Sequence, residues 1–257
     1  MQTILTKETS GVRTLTLNRP DRRNALTPEM QEELIAALEA AAASTTTTVL
    51  ILTGAGDAFC AGLDLSALQA MAGKTSNELD ADARRISRMF RTLYELAVPT
   101  IAAVNGHAIA GGTGLATLCD FTLAVPAAKF GYTEVKIGFV PAVVSAYLTL
   151  QIGDKRARDL LLTGRLFMAD EARQLGLVTE LVAPEALTAR SEALAATLQA
   201  NSPTSLRATK ALLATQNRAW LDTAIDAAMH ANARSRETPD FREGVTAFLE
   251  KRKPVWS

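Results

Sequence analysis

The chain contains little of what several protein classes require. Its 257 residues include two cysteines, two histidines, and 27 acidic side chains against 27 basic ones. Cys60 and Cys119 cannot build a disulfide framework, so we expect a reducing compartment and a cytoplasmic location. With only His107 and His230, a histidine-rich metal site is excluded and no metal is expected. A net charge of zero argues against a nucleic-acid-binding surface.

Long apolar runs are also absent. No stretch approaches the roughly 20 apolar residues of a membrane span, and the first residues lack the charged-then-apolar order of a signal peptide. We therefore expect neither a membrane partner nor a leader. Because 48% of the residues are apolar, the chain can bury a core large enough to fold without disulfides or metals.

Alternating strand and helix patterns predict an α/β fold. Strands are predicted at 12–17, 48–54, 100–106 and 121–126. Thr27 has the character of an N-cap, Pro28 follows at the first helical position, and the apolar spacing predicts a helix over 28–43.

The sequence pattern changes near residue 200, from alternating strand and helix segments to helical segments. We expect an α/β core over residues 1–200 and a helical region over 201–257, which docks on the core or on a neighbouring subunit. Three helices are predicted there, in "SPTSLRATKALLATQ", "AWLDTAIDAAMHANARS" and "PDFREGVTAFLEKRK". The stretch 66–80 has weak periodicity and small polar residues, and we expect it to be mobile.

The segment "AVNGHAIAGGTG" (103–114) ends in a glycine-rich loop at a strand-to-helix junction. Gly106 and Gly111 have the spacing of a P-loop, but Gly112 stands where that motif needs lysine. The dinucleotide fingerprint also fails, because Thr117 occupies the place of its last glycine. The loop therefore offers bare backbone N–H groups, which suit an oxygen that becomes an anion only during a reaction.

A second corner follows the strand "VLILTG". In "AGDAFCAGLDL" (55–65), Ala61 and Gly62 offer backbone N–H groups beside little side-chain bulk. Two such corners on neighbouring strands can aim two donors at one carbonyl oxygen. Each corner alone is also compatible with an ordinary tight turn.

Together, "FCAGLDL" and "NGHAIAGG" resemble the two signature segments of the crotonase (enoyl-CoA hydratase/isomerase) superfamily. Further similar segments are "NRPDRRNAL", "LCDFTLAVPAAKFGYTEVKIG", "LLTGRLFMADEARQLGLV" and "FREGVTAFLEKRKPVW". The resemblance implies a crotonase-like spiral of ββα turns with a C-terminal helical region used in trimerisation. It also implies an acyl-CoA substrate, no separate cofactor, and a trimer or a dimer of trimers.

The resemblance assigns catalytic roles by position. The N–H groups of Ala61 and Gly111 would bind the thioester oxygen and stabilise an enolate. Glu134, in "FGYTEVKIG", matches one of the two glutamates of family hydratases. Gly114 stands where the other would be, and glycine can neither activate water nor give a proton. A second acid could instead come from the 66–80 segment, as Glu78 or Asp80.

This departure leaves several functions open. A hydratase acting on a short or branched 2-enoyl-CoA, such as methylglutaconyl-CoA, is the first interpretation. A Δ3,Δ2-enoyl-CoA isomerase needs only one glutamate, because one base can move a proton from C2 to C4. A non-catalytic acyl-CoA-binding protein is the alternative of another class. Hydrolysis, decarboxylation and dehalogenation also occur on this fold.

The resemblance also implies substrate contacts. Arg22, Arg23 and Ala25 would lie near the nucleotide, and Leu63 and Asp64 along the adenine and pantetheine path. Phe248 and Lys251 would reach the nucleotide from a neighbouring subunit.

The acyl end is expected to differ from the usual family pattern. Gly114 and Pro141 are placed by the resemblance at the acyl side of the site. Val143, Val144 and Tyr147 either narrow the acyl pocket or form a core stripe. Cys60 and His107 offer a less favoured nucleophile and base, and Cys119 is interpreted as structural.

Overall fold

The computed structural model of the protein describes residues 2–71 and 73–257. The strands are β1 (Ile4–Thr9), β2 (Val12–Leu17), β3 (Val49–Gly54), β4 (Ala58–Cys60), β5 (Thr100–Val104), β6 (His107–Ile109), β7 (Phe121–Ala124), β8 (Lys129–Gly131), β9 (Phe167–Met168) and β10 (Glu180–Leu181). The helices are α1 (Pro28–Ala43), α2 (Leu65–Ala70), α3 (Ser76–Tyr94), α4 (Gly111–Leu118), α5 (Ala142–Ile152), α6 (Asp154–Thr163), α7 (Ala169–Gln174), α8 (Leu187–Gln199), α9 (Pro203–Ser235) and α10 (Pro239–Leu249). Short 3-10 turns cover Pro20–Arg22, Glu134–Ile137 and Pro184–Ala186.

The strands form two sheets that the chain visits in alternation. The larger sheet has the order β1-β2-β3-β5-β7-β10, and the smaller one has the order β4-β6-β8-β9. Each of the pairs β3–β4, β5–β6 and β7–β8 sends its first strand to the larger sheet and its second to the smaller. Helices follow each pair, which confirms the predicted α/β spiral of ββα turns.

Local sequence explains the main elements. The middle residues of β3 are fully buried, as expected for a parallel strand covered on both faces. Helix α1 begins where predicted, because the Thr27 side chain accepts a hydrogen bond from the Met30 N–H and Pro28 follows the cap. The predicted strands are confirmed, although β5 ends at Val104 and β7 at Ala124.

The C-terminal prediction was partly wrong. The first two helices expected after residue 200 are one helix, α9, which runs unbroken for 33 residues. No glycine or proline interrupts it after Pro203, so nothing forces the predicted break. Helix α9 packs on α3 and α5, and α10 packs on α2 and the Glu134–Ile137 turn. The division at residue 200 stays a prediction.

The 66–80 stretch contains two helical segments, and its expected mobility stays a prediction. It contains most of α2 and the start of α3, and the N-terminus of each of these helices is capped by a side chain. Asp64 accepts the N–H groups of Ser66 and Ala67, and Thr75 forms a capping box with Glu78. Ala72 of this stretch lies outside the described residues. None of the described helices is long and apolar enough to cross a membrane.

Candidate active site

The glycine loop begins α4 and leaves backbone donors at its N-terminus. Ala110 precedes the helix at φ 52° and ψ −123°, a region that L-residues seldom adopt. Its N–H bonds to the carbonyl of Gly131 at 2.6 Å. The N–H of Gly111 then has no hydrogen-bond partner among the described residues, and the helix dipole adds positive potential at the same point.

The second corner does not supply the donor that the resemblance implied. The N–H of Ala61 is donated to the carbonyl of Arg23 at 2.9 Å. A backbone donor that holds two loops of the fold together is not available to a substrate oxygen. The assignment of an oxyanion donor to Ala61 was therefore wrong.

Leu63, two residues further on, presents an unused N–H instead. Leu26 forms an isolated parallel bridge with Leu63, in which Leu26 donates to Gly62 and accepts from the N–H of Asp64, at 2.8 and 3.0 Å. The N–H of Leu63 points away from that bridge and finds no partner in the described part of the chain. A Cβ added to Gly62 would lie 3.4 Å from the Gly111 nitrogen, so the two corners meet.

The two corners open into a cavity of about 680 Å³. Leu63 and Gly111 lie in its wall together with most of the predicted site residues. The predicted residues that line it are Arg22, Arg23, Ala25, Ala61, Leu63, Asp64, Gly111, Glu134 and Phe248. Gly114, Pro141 and Lys251 do not line it. The cavity therefore brings the expected oxyanion loop, carboxylate and basic residues into one space.

Glu134 is the buried carboxyl group of this cavity. Only 8% of the residue is exposed, and its Oε2 has no hydrogen-bond partner among the described residues. Burial raises the pKa of Glu134 to about 7, because the charged form loses hydration without gaining a cation. The Gly131 carbonyl bonded to Ala110 lies three residues upstream, which fixes Glu134 beside the glycine loop.

Apolar side chains fill the place of the second glutamate. A Cβ added to Gly114 would lie 2.7 Å from Val144 Cγ1 and 2.9 Å from Phe90 Cε1. Phe90, Val143 and Val144 line the cavity at this point. None of them can give or take a proton. Tyr147 does not line the cavity, and its ring packs on Tyr94 with centroids 5.2 Å apart.

The 66–80 segment does not replace that acid. Neither Glu78 nor Asp80 lines the cavity. Glu78 is exposed, and its hydrogen bonds to Lys74 and Thr75 lower the pKa of its carboxyl to about 2. A carboxylate with so low a pKa is ionised at neutral pH and is a poor proton donor.

The outer wall of the cavity is basic and exposed. Arg22, Arg23 and Lys136 line it with exposed side chains. Asp64 is held by Arg19 at 3.0 Å and caps α2, so it shapes this wall more than it offers a free charge. Phe248 lines the cavity of its own chain, whereas a contact from a neighbouring subunit was expected.

Three further predicted positions have other surroundings. Lys251 is exposed, at φ 56° beyond α10. Pro141 is buried and precedes α5. Cys60 is fully buried, burial raises the pKa of its thiol to about 12, and it donates to the Asn24 carbonyl at 3.2 Å. His107 instead accepts the Lys129 N–H, so the two do not form a nucleophile–base pair.

Sequence reasoning missed several polar residues of the cavity, which are Ser66, Thr133, Lys136 and Asn232. Asn232 of α9 lines it with 3% of the residue exposed. It lies inside a helix without a recognisable motif, so no sequence signal pointed to it. Within the described part of the chain, no group of three or more His, Cys, Asp or Glu side chains could hold a metal ion.

Comparisons with known proteins agree with this architecture. Residues 7–257 match the family model described as enoyl-CoA hydratase/isomerase. An inferred enoyl-CoA hydratase of Thermus thermophilus is 45% identical, over 96% of this chain and 98% of that protein. The crotonyl-CoA hydratase of Syntrophomonas wolfei is 34% identical, over 98% and 96%. The crystal structure of an enoyl-CoA hydratase/isomerase from Xanthobacter autotrophicus superposes with a TM-score of 0.90 at 31% identity, covering 98% of this chain and 97% of that one. The chain belongs to the enoyl-CoA hydratase/isomerase family, within the crotonase superfamily.

Proposed function

We propose that the protein is an enoyl-CoA hydratase-type enzyme that acts on short or branched 2-enoyl-CoA thioesters through an enolate. The observation that carries the proposal is the placement of Glu134 in one cavity with the unpaired N–H groups of Leu63 and Gly111. Two fixed donors stabilise an enolate oxygen, each by about 3 kcal/mol. A carboxyl group with a pKa near 7 can serve as base and acid at neutral pH.

The reaction follows from these groups. The thioester oxygen binds to the N–H groups of Leu63 and Gly111, which polarise the conjugated double bond. The Glu134 carboxylate takes a proton from water as the water oxygen bonds to C3, and electrons shift onto the thioester oxygen. Protonated Glu134 then gives a proton to C2 as the enolate collapses. One water is added, and Glu134 returns to its ionised state.

An isomerase is the second candidate, and one observation favours it. Val144 and Phe90 fill the space at Gly114, and the other carboxyl group of the described cavity wall, Asp64, is paired with Arg19 and caps α2. Glu134 is therefore the one carboxyl group of that wall that is free to act on the substrate. Glu134 would then remove a proton from C2 of a 3-enoyl-CoA and return it to C4 of the dienolate. The double bond moves into conjugation, and no atom is gained or lost.

The first experiment supplies crotonyl-CoA and 3-hexenoyl-CoA separately and analyses both products by mass. A gain of one water from crotonyl-CoA supports the hydratase. Conversion of 3-hexenoyl-CoA to the conjugated isomer without a mass change supports the isomerase. Turnover of neither compound, at any enzyme concentration that is practical, would contradict both.

Glu134→Gln separates a catalyst from a binding protein. The amide keeps the size of the side chain but cannot take a proton, so turnover should fall by about 10²–10⁴-fold while acyl-CoA still binds. A protein that only binds acyl-CoA would show no turnover to lose. The catalyst is supported by the position of Glu134 in the cavity wall and by the absence of a hydrogen-bond partner for its Oε2 among the described residues.

We also infer that coenzyme A lies along the basic outer wall, with its phosphates near Arg22, Arg23 and Lys136. Replacing Arg22 and Arg23 by Ala should raise KM and leave kcat less affected. The reactive groups of coenzyme A are part of the substrate, so no separate cofactor is proposed.

A homotrimer or a dimer of trimers in the cytoplasm is the assembly and location we propose. The apolar side chains Leu212, Leu213 and Trp220 are 58%, 55% and 45% exposed along α9, and burying them against a second copy would stabilise an oligomer. The location rests on the low cysteine content. Light scattering of the purified protein tests the assembly, and a monomer would contradict it.

A further inference from the structure

A buried carboxamide faces the inner end of the cavity. The outer wall contains exposed arginines, whereas Ile86, Phe90 and Asn232 line the cavity and are each buried. Phe90 lies 3.6 Å from a Cβ built on Gly111, so this inner end begins at the proposed thioester site. The acyl chain of a bound substrate would extend into it.

A neighbouring arginine fixes the orientation of that carboxamide. Arg236 donates from Nη2 to Asn232 Oδ1 at 2.7 Å. A guanidinium only donates hydrogen bonds, so the oxygen of Asn232 must face Arg236. The Nδ2 hydrogens therefore point elsewhere, and they have no partner in the described part of the chain. Asn232 thus presents an oriented donor at the inner end of the cavity, beside the apolar side chains of Ile86 and Phe90.

The groups behind Asn232 hold it in place. Arg236 is fully buried, forms an ion pair with Asp82, and stacks on the Phe139 ring at 5.3 Å. Asp82 also pairs with Arg85. A side chain held by such a network does not turn away when the cavity fills, because doing so would leave a buried guanidinium unsatisfied.

The position along α3 fits a short acyl chain. Asp82, Ile86 and Phe90 are spaced four residues apart and share one face of that helix. Asp82 contacts Arg236 at one end of this row, and Phe90 contacts the glycine loop at the other. Helices α3 and α9 run antiparallel, because Asp82 pairs with Arg236 and Arg91 pairs with Asp222. Asn232, one turn before Arg236, therefore lies near the level of Ile86, about 6 Å along α3 from Phe90. A substituent a few carbons beyond the thioester reaches that distance.

We propose that Asn232 selects acyl groups that carry a hydrogen-bond-accepting oxygen, a carboxylate or a ketone, a few carbons from the thioester. A hydrocarbon chain at this point would bury the Nδ2 hydrogens without a partner, which costs free energy that an acceptor oxygen recovers. The inference rests on the proposed function for its acyl-CoA ligand, and it adds the chemistry of the acyl group.

Three saturated ligands of matched shape test it by calorimetry. At C5, glutaryl-CoA carries two oxygens, 5-oxohexanoyl-CoA carries one oxygen and one methyl, and 5-methylhexanoyl-CoA carries two methyls. We expect the two oxygenated ligands to bind about tenfold or more tightly than the hydrocarbon. Equal affinities, or tighter binding of the hydrocarbon, would overturn the proposal without any variant.

Asn232→Asp tests the residue itself. Aspartate keeps an oxygen for Arg236 but loses the donor, so the preference for the oxygenated ligands should fall about tenfold. Asn77→Asp makes the identical change at an exposed position of α3, and the preference should stay as in the wild type. A preference that persists in Asn232→Asp would overturn the assignment.

Binding to saturated ligands separates this proposal from the catalytic one. Selectivity without turnover of any enoyl-CoA would support the role of Asn232 and contradict the proposed function. Turnover of crotonyl-CoA without selectivity among the three ligands would support the proposed function and overturn the role of Asn232.

Discussion

The side chain of Val144 lies directly against Gly114. A Cβ added at Gly114 would come within 2.7 Å of Val144 Cγ1 and within 2.9 Å of the Phe90 ring. The glycine and the valine therefore depend on each other, because Val144 of α5 and Phe90 leave no room for a side chain at position 114. One substitution at Gly114 cannot place a carboxyl group there without a change at these neighbours.

Gly114→Ala should destabilise the protein, although alanine favours helices by up to about 1 kcal/mol. The added methyl overpacks the contact with Val144, at a cost of about 1–3 kcal/mol. Denaturant unfolding of Gly114→Ala, Val144→Ala and the double variant measures the coupling. We expect the double variant to lose less stability than the sum of the two. Additive effects would show that the two side chains do not compete for space.

The pH dependence of kcat/KM should report Glu134. The pKa of this carboxyl is raised to about 7 by burial, and the reaction needs it ionised to take a proton. The value of kcat/KM should therefore fall about tenfold per pH unit below pH 6 and level off above pH 8. The residual rate of Glu134→Gln should be flat over this range. A wild-type profile that is flat from pH 5 to 8 would contradict Glu134 as the base.

Stability should change with pH in the opposite direction to activity. A raised pKa means that the folded state binds the Glu134 proton more tightly than the unfolded state. The resulting stabilisation is complete below the unfolded pKa, near 4.5, and is lost as pH rises through 7. The shift corresponds to about 3 kcal/mol. The difference in Tm, Glu134→Gln minus wild type, should increase from pH 5 to pH 8. A difference that stays constant over this range would argue against a buried carboxylate.

Ala110→Gly should stabilise the protein. Ala110 has φ 52° and ψ −123°, a conformation that costs a non-glycine residue about 1–3 kcal/mol. Glycine removes this strain. It also makes the unfolded chain more flexible, which lowers the free energy of unfolding by up to about 1 kcal/mol. Ala116→Gly, within α4, serves as the control and should destabilise. A lower Tm for Ala110→Gly would show that the loop is not strained there.

Much of the fold followed from the sequence because its signals were local. The Thr27 and Pro28 start of α1 and the buried runs that became β3 and β5 need no knowledge of distant residues. Ser202 and Pro203 marked the start of α9 in the same way. Its continuation past residue 217 depends on packing against α3 and α5, which no short window of sequence contains.

The site was predictable in outline and less so in atomic detail. Glu134 and Gly111 lie in the cavity where the resemblance implied, but their roles stay predictions. Which N–H group is free to bind a substrate oxygen, that of Ala61 or that of Leu63, depends on the backbone hydrogen bonds of the fold. Residues Arg23 and Leu26, about 40 positions upstream in the sequence, form the bonds that engage Ala61 and leave Leu63 free. No sequence signal pointed to Asn232, because a single asparagine in a polar helix matches no motif. Its proposed role depends on its contact with Arg236 and on its place in the cavity wall.

The most direct test of the account uses mass spectrometry to follow exchange of the two C2 protons of butyryl-CoA in D₂O, of which Glu134, on one face of the bound thioester, should remove one. This saturated thioester can form an enolate but can be neither hydrated nor isomerised, so exchange reports the oxyanion site and Glu134 alone. We predict a gain of one deuterium with the wild type, faster above pH 7 than below it, and a loss of about 10²–10⁴-fold in rate for Glu134→Gln. Exchange that continues unchanged in Glu134→Gln, or none with the wild type, would contradict enolate formation by this residue.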